Sequence, residues 1–249
     1  MGLLEGRRIL VVGASRGLGA AFVERLLGEG ALVAAAAREM PGAGVADGHL
    51  HVLTCDVRDV ASCAEVVEAA VMRLGGLDGL VYAPGIAVVT ELRSATADHW
   101  RSVMETNVIG AGMVTAAAVA HLEASDGVAV YLSSVSAHVT PPWIGMGLYA
   151  ASKVALEKSV EVWKLEHPSV RFTTMVIGST AGTSFFASAE KPQAEDLERF
   201  RAEWQTRGYL AQEQLIPEDQ AQVLGDVLTS RAQIDVVWAR PKSLLQLWK

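Results

Sequence analysis

A chain of 249 residues with 51% hydrophobic and 20% charged side chains can bury one large core, and no stretch of it reads as a linker to a second domain. A net charge of -7 excludes an extended nucleic-acid or anionic-membrane surface, because phosphate contacts need clustered Lys and Arg. Two cysteines, Cys55 and Cys63, without CxxC spacing and with no secretory segment before them, lead to the expectation of a reduced, cytoplasmic setting.

Apolar runs rich in Val, Ile and Leu recur at 8–12, 31–37, 51–54, 79–83, 128–133, 171–177 and 234–238. Runs such as "ILVV" and "ALVAAAA" are far too short to cross a bilayer, so a soluble protein with no membrane partner is expected. They read as strands buried on both faces, with helical patterns between most of them. The fold expected is therefore α/β, one domain over 1–249 in three layers, with a doubly wound parallel sheet of about seven strands.

The first strand runs into "VGASRGLGAAFVERLLGEG", where Gly13, Gly17 and Gly19 mark a strand-to-helix turn and Ser15, Arg16 and Leu18 fill the loop between them. Backbone without Cβ atoms can approach a pyrophosphate there, and the following helix offers free N–H groups. The same residues satisfy the G-x-S-x-G pattern of hydrolases. That chemistry needs an acid and then a histidine downstream, whereas the last histidine, His167, precedes the final two strands. The second strand ends in Ala37 and Arg38, with no carboxylate at its tip to grip a ribose diol. Arg16 and Arg38 can converge on a 2′-phosphate through planar guanidinium forks, which favours NADP(H) over NAD(H); Glu39 on a ribose hydroxyl is the alternative.

Residues 38–50 carry a proline and several glycines where a crossover helix is expected, so a loop is predicted, leaving one sheet face thinly covered. In the next crossover Ser62 and Glu65 read as a capping box ahead of the stripe Val67, Ala70, Val71 and Leu74. His49 and His51 lie two apart without further ligands, so no metal is expected.

In "LYAASK", at 148–153, a helix opening at Tyr149 puts Tyr149, Lys153, Leu156, Val160 and Trp163 on one stripe, with Glu157, Lys158, Glu161 and Lys164 on the polar side. Lys153 is then a charge on a buried face. An ammonium about 4 Å from a phenolate at an effective dielectric near 20 favours it by about 4 kcal/mol, roughly three pKa units, enough to bring a tyrosine towards neutrality. Further on, 183–212 has the place of a lid, with Leu197, Phe200 and Trp204 on one helix face. Phe185, Phe186 and Trp143 are candidates for an apolar pocket or for plain core.

With the glycine loop, "CDV" at 55–57, "TNVIG" at 106–110, "LSS" at 132–134 and "YAASK", the chain resembles the short-chain dehydrogenase/reductase family over residues 6 to about 183. That resemblance implies an NADP(H)-dependent oxidoreductase interconverting a small carbonyl compound and its alcohol. Tyr149 would be the general acid/base, and Lys153 would hold the nicotinamide ribose and lower the tyrosine's pKa. Ser134 would bind the substrate oxygen, with Ser133 and Ser136 as alternatives, and Asn107 would keep a relay water in line with Lys153. Asp56 and Val57 would lie at the adenine, Ala83 and Gly85 at the cofactor, and Gly178 with Thr180 or Thr183 at the carboxamide. The family's NNAG is here "YAPG", residues 82–85, which loses both amide side chains and motivates the rival reading of a nucleotide-sensing or scaffold protein. In resembling proteins the helices at 98–122 and 149–165 pair, so a homodimer or homotetramer is expected.

Overall fold

Seven strands carry the chain through its core in the computed structural model, which describes residues 2–40, 48–139, 141–183, 194–209 and 213–242. They are β1 (Arg8–Val12), β2 (Leu32–Ala37), β3 (Leu50–Thr54), β4 (Gly79–Tyr82), β5 (Val128–Ser134), β6 (Arg171–Ile177) and β7 (Val236–Ala239). All pair in parallel, in the order β3-β2-β1-β4-β5-β6-β7. The seven runs of the sequence thus become seven strands, with ends shifted by at most two residues. Period-two alternation splits their side chains between two cores. Leu10, Val12, Tyr82 and Tyr131 face one helical layer, and Ile9, Val11, Val81 and Val130 face the other.

The helices are α1 (Gly17–Gly28), α2 (Val60–Leu74), α3 (Ala97–Met104), α4 (Gly110–Glu123), α5 (Gly147–Glu166), α6 (Ala194–Thr206) and α7 (Pro217–Thr229). α2, α4 and α5 cover the first face; α1 and α7 cover the second. Strand order reverses between β1 and β4, and in such sheets the crevice beyond the carboxyl ends of these two strands receives ligands.

Two local readings need correction or completion. α2 starts at Val60 with its cap three residues ahead of the expected Ser62, because Asp59 accepts from the Ala61 N–H at 2.9 Å. Ser62 therefore sits inside the first turn, and its Oγ accepts from the Asp56 N–H at 3.1 Å, tying down the β3–α2 turn. Between β2 and β3 no helix occurs among the described residues; residues 41–47 of the predicted loop lie outside them. β3 is nowhere fully buried, in line with thin cover at that edge.

The segment Ala97–Glu123 is long and apolar enough to cross a bilayer by length and composition, but half of its most apolar window is buried in the protein, as in a core helix. A single π-helical turn, Glu105–Ile109, separates α3 from α4. Such a turn frees backbone groups from the regular ladder. The Thr106 carbonyl accepts from the Tyr82 hydroxyl at 2.6 Å, and a Cβ at Gly110 would lie 2.7 Å from that same hydroxyl oxygen. Tyr82, the first residue of YAPG, thus braces β4 against the turn that carries Asn107, so a strand-to-helix brace survives the loss of both amides.

Removing this hydroxyl leaves a buried carbonyl without a partner, at a cost of about 1–3 kcal/mol. Tyr82→Phe is expected to lower the urea midpoint accordingly with an unchanged m-value; an unaltered midpoint would show that the brace contributes nothing.

Candidate active site

A cleft of about 1470 Å³ opens beyond the carboxyl ends of the strands. All the candidate cofactor residues line it: Gly13, Ser15, Arg16, Gly17, Leu18, Gly19, Arg38, Asp56, Val57, Ala83, Gly85, Tyr149, Lys153, Gly178, Thr180 and Thr183. Ser134 lines it as well; Asn107 is fully buried just behind it.

At the glycine loop the geometry explains the residue types. Gly13 has φ +82°, and a Cβ there would lie 2.8 Å from Pro84 N. A Cβ at Gly19 would lie 2.1 Å from the Gly13 carbonyl oxygen. The loop is thereby pressed against the β4 turn on one side and against the first turn of α1 on the other. This leaves the helix N-terminus open towards the cleft, a cradle fit for a pyrophosphate. Across the cleft, a Cβ on Gly17 would stand 4.0 Å from Thr183 Cβ. Thr180 is the more engaged threonine, donating to Gly178 O at 3.1 Å and accepting from Gln220 Nε2 at 3.0 Å.

The distal end carries three arginines. Arg16 and Arg38 are exposed on the cleft wall. Arg58, which the sequence reading missed, grips Asp56 with Nε at 2.9 Å and Nη2 at 2.5 Å. The hydrogen bonds of this fork hold the Asp56 carboxyl down to about 2. The signal for Arg58 was its place two residues past the aspartate, close enough for one turn to close the fork.

At the other end β5 and α5 meet. The Ser134 hydroxyl is hydrogen-bonded to the Tyr149 phenol and accepts from the Ser136 N–H at 3.2 Å and the Ser136 hydroxyl at 3.1 Å. Ser133 turns away and donates to Glu157. Of the three serines, Ser134 is the one brought to the tyrosine. Lys153 is 2% exposed, and its Nζ donates to Leu132 O at 2.7 Å. Nζ lies 5.6 Å from the centroid of the Tyr149 ring. A Cβ at Gly85 would stand 3.4 Å from Nζ and 4.0 Å from Asn107 Oδ1, so glycine keeps this corner open. The Asn107 amide donates to Ile86 O at 3.0 Å and Ser152 Oγ at 2.9 Å, and accepts from Ile86 N at 2.9 Å.

The phenol is not depressed, contrary to the sequence expectation. Burial pushes Tyr149 up to about 12, the Ser134 hydrogen bond opposing it in part. Burial likewise pulls Lys153 down to about 8, with the Glu157 carboxylate opposing. Attraction between the two charged forms is outweighed because burial strips both groups of hydration, and desolvation of each charged form dominates. A second correction concerns Glu157: it sits half-buried against β5 instead of on the solvent face of α5. Trp163, at the end of the predicted stripe, is half-buried.

The remaining wall is apolar. Phe200 and Trp204 of α6 are buried with Tyr149, Met146 and Tyr209, and Trp143 stacks on Tyr209 with ring centroids 5.4 Å apart. These side chains are pocket and core at once, since Trp143, Met146, Trp204 and Tyr209 also line the cleft. Phe185 and Phe186 and part of the proposed lid, 184–193 and 210–212, lie outside the described residues. Among the described residues no group of three or more His, Cys, Asp and Glu side chains could hold a metal ion. Cys55 and Cys63 are buried free thiols, both pushed up by burial.

A lysine shifted from 10.5 to about 8 destabilises the fold below pH 8, and the unfolded chain holds the extra proton between pH 8 and 10.5, so stability rises through that window. Lys153→Met is expected to raise the unfolding free energy at pH 7 by about 1–3 kcal/mol, with the gain shrinking towards pH 10. Denaturant midpoints at the two pH values check this; a gain independent of pH would contradict it.

The chain matches the short chain dehydrogenase family over residues 7–194. It is 33% identical over 164 residues to an uncharacterized oxidoreductase of Methylorubrum extorquens, covering 63% of this chain and 65% of that one. It thus spans slightly less than two thirds of that relative's length. The fold superimposes on the alcohol dehydrogenase of the archaeon Thermococcus sibiricus complexed with 5-hydroxy-NADP, with TM-score 0.77, 22% identity and 95% and 97% of the two chains covered. It also superimposes on the 3-ketoacyl-(acyl-carrier-protein) reductase of Brucella melitensis complexed with NADH, with TM-score 0.80, 20% identity and 96% and 99% covered. The chain belongs to the short-chain dehydrogenase/reductase family of nicotinamide-dependent oxidoreductases.

Proposed function

We propose that this protein is an NADPH-dependent carbonyl reductase acting reversibly on a small, mostly apolar ketone or aldehyde. The observation that carries the reading is the meeting of Ser134, Tyr149 and Lys153 at one end of the cleft whose other end holds Arg16, Arg38 and Arg58. When bound, the nicotinamide supplies the hydride that the carbonyl carbon receives. The Tyr149 phenol, fully protonated at neutral pH, donates its proton to the carbonyl oxygen, and the Ser134 hydroxyl orients that oxygen. Lys153 holds the ribose hydroxyls and favours the phenolate as the proton leaves. Asn107 Oδ1 keeps one lone pair beyond its bond from Ile86 N, for the relay water next to Lys153.

Arg16 and Arg38 supply the 2′-phosphate site. The two neighbours described above carry 5-hydroxy-NADP in one case and NADH in the other, so the preference must come from this chain's own arginines. The aromatic wall of Trp143, Trp204 and Tyr209 supports an apolar substrate.

Titration with each dinucleotide, followed by nicotinamide fluorescence, is expected to give tighter binding of NADPH. Arg38→Asp should weaken NADPH at least tenfold, about 1.4 kcal/mol, and leave NADH within about threefold; equal losses would refute the phosphate site. Tyr149→Phe should cut turnover of any reduced ketone by a factor of about a hundred or more while NADPH affinity stays within about twofold. Undiminished turnover would remove the tyrosine from the mechanism.

A further inference from the structure

Three successive residues at the end of β5 hold three residues spaced four apart on α5. The Leu132 carbonyl accepts from Lys153, the Ser133 hydroxyl donates to Glu157, and the Ser134 hydroxyl bonds Tyr149. The middle contact runs against the helix pattern, because spacing assigns Glu157 to the polar side with Lys158 and Glu161. Its side chain is nevertheless only 18% exposed.

The register explains how it is held. Ser133, Val176 and Trp238 stand side by side across β5, β6 and β7, so Ser133 and Trp238 project from the same sheet face. His138, just past β5, lays its ring against Trp238 with centroids 4.7 Å apart and reaches Glu157 Oε1 with Nε2 at 2.9 Å. One carboxylate oxygen is thus gripped from the strand and from the loop beside it, one helical turn beyond Lys153.

A carboxylate fixed there acts on the buried ammonium through protein instead of water. Lys153 otherwise faces uncharged groups among the described residues: the Tyr149 phenol on its own helix, Asn107 from the π turn, Gly85 after β4, and the Leu132 carbonyl of β5. Glu157 in turn faces His138, the one titratable group in contact with it from outside α5 among the described residues.

We propose that Glu157, clamped by Ser133 and His138, is a positioning residue whose charge keeps Lys153 an ammonium at the nicotinamide end of the cleft. Its consequence for turnover rests on the carbonyl-reductase reading; its effect on Lys153 does not. The direction of the coupling follows from the opposition between burial, which lowers Lys153, and Glu157, which raises it.

The test reads Lys153 directly in the cofactor-free protein. Lysine labelled with 13C at the ε-carbon gives a pH titration by NMR, with the resonance assigned by its loss in Lys153→Met. Glu157→Gln is expected to move the Lys153 midpoint down by about one pH unit, and an unchanged midpoint overturns the proposal. Ser133→Ala keeps the carboxylate but loosens it, so a smaller fall is expected; should Glu157→Gln not fold, this variant decides in the same way. With NADPH and a ketone that the wild type reduces, the alkaline limb of kcat should move down with the midpoint. A limb that stays while the midpoint falls overturns the positioning role. Absence of wild-type NADPH binding and turnover would refute the reductase reading alone, since the titration still decides the coupling.

Discussion

The ammonium of Lys153, 2% exposed in the wall of the cleft, is the constraint on which the rest of the site depends. A buried charge is tolerated only where geometry and hydrogen bonds compensate its lost hydration. The compensation comes from a carbonyl at the end of β5 and a carboxylate one turn along α5, while Gly85 after β4 leaves room for the ammonium. None of these would be arranged this way for packing alone. Removing either partner would strand the ammonium, so the end of the sheet and α5 are held in register at this point.

The departure at residues 82–85 is consistent with that constraint. Both amides of the family's NNAG are missing, yet what Lys153 needs from this stretch is space, and Gly85 supplies it. What the π turn needs is an anchor on β4, and the Tyr82 hydroxyl supplies that. Pro84 lies so close to Gly13 that the glycine loop and the β4 turn form one packed unit. Loss of both amides, with Tyr82 and Pro84 bracing the turn instead, is thus a different way of holding this backbone, and it weakens the scaffold reading that the sequence alone raised.

Most of the architecture was legible because parallel strands announce themselves as apolar runs, and the glycine loop and YxxxK spacing carry their own geometry. What was not legible falls into three physical kinds. Helix starts depend on which of two competing caps wins, and Asp59 prevailed over Ser62. Side-chain destination depends on register across strands: nothing in the pattern of α5 says that Ser133 and Trp238 project from one sheet face, two strands apart, to receive Glu157 and His138. Protonation depends on burial as well as on proximity, so the pair predicted from spacing was right in place and wrong in the sign of the tyrosine shift. Arg58 belongs with the second kind, since its fork on Asp56 needs a turn that spacing does not reveal.

Charge distribution along the cleft sharpens the choice of dinucleotide. The protein carries a net charge of -7, so a cluster of cations at one end of the cleft is a local feature and not an overall bias. Arg58 is largely neutralised by Asp56, which the fork keeps ionised at any physiological pH. Arg16 and Arg38 form no ion pair with a carboxylate among the described residues. Two cations on one wall of the cleft repel one another unless an anion lies between them, even in high dielectric. A phosphate group, with oxygens arranged for guanidinium forks, is the kind of anion that such a pair can hold through charge-assisted hydrogen bonds. Glu39 beside them is a single carboxylate that can offset one of the two charges but not both, and the NADP(H) preference proposed above rests on that imbalance.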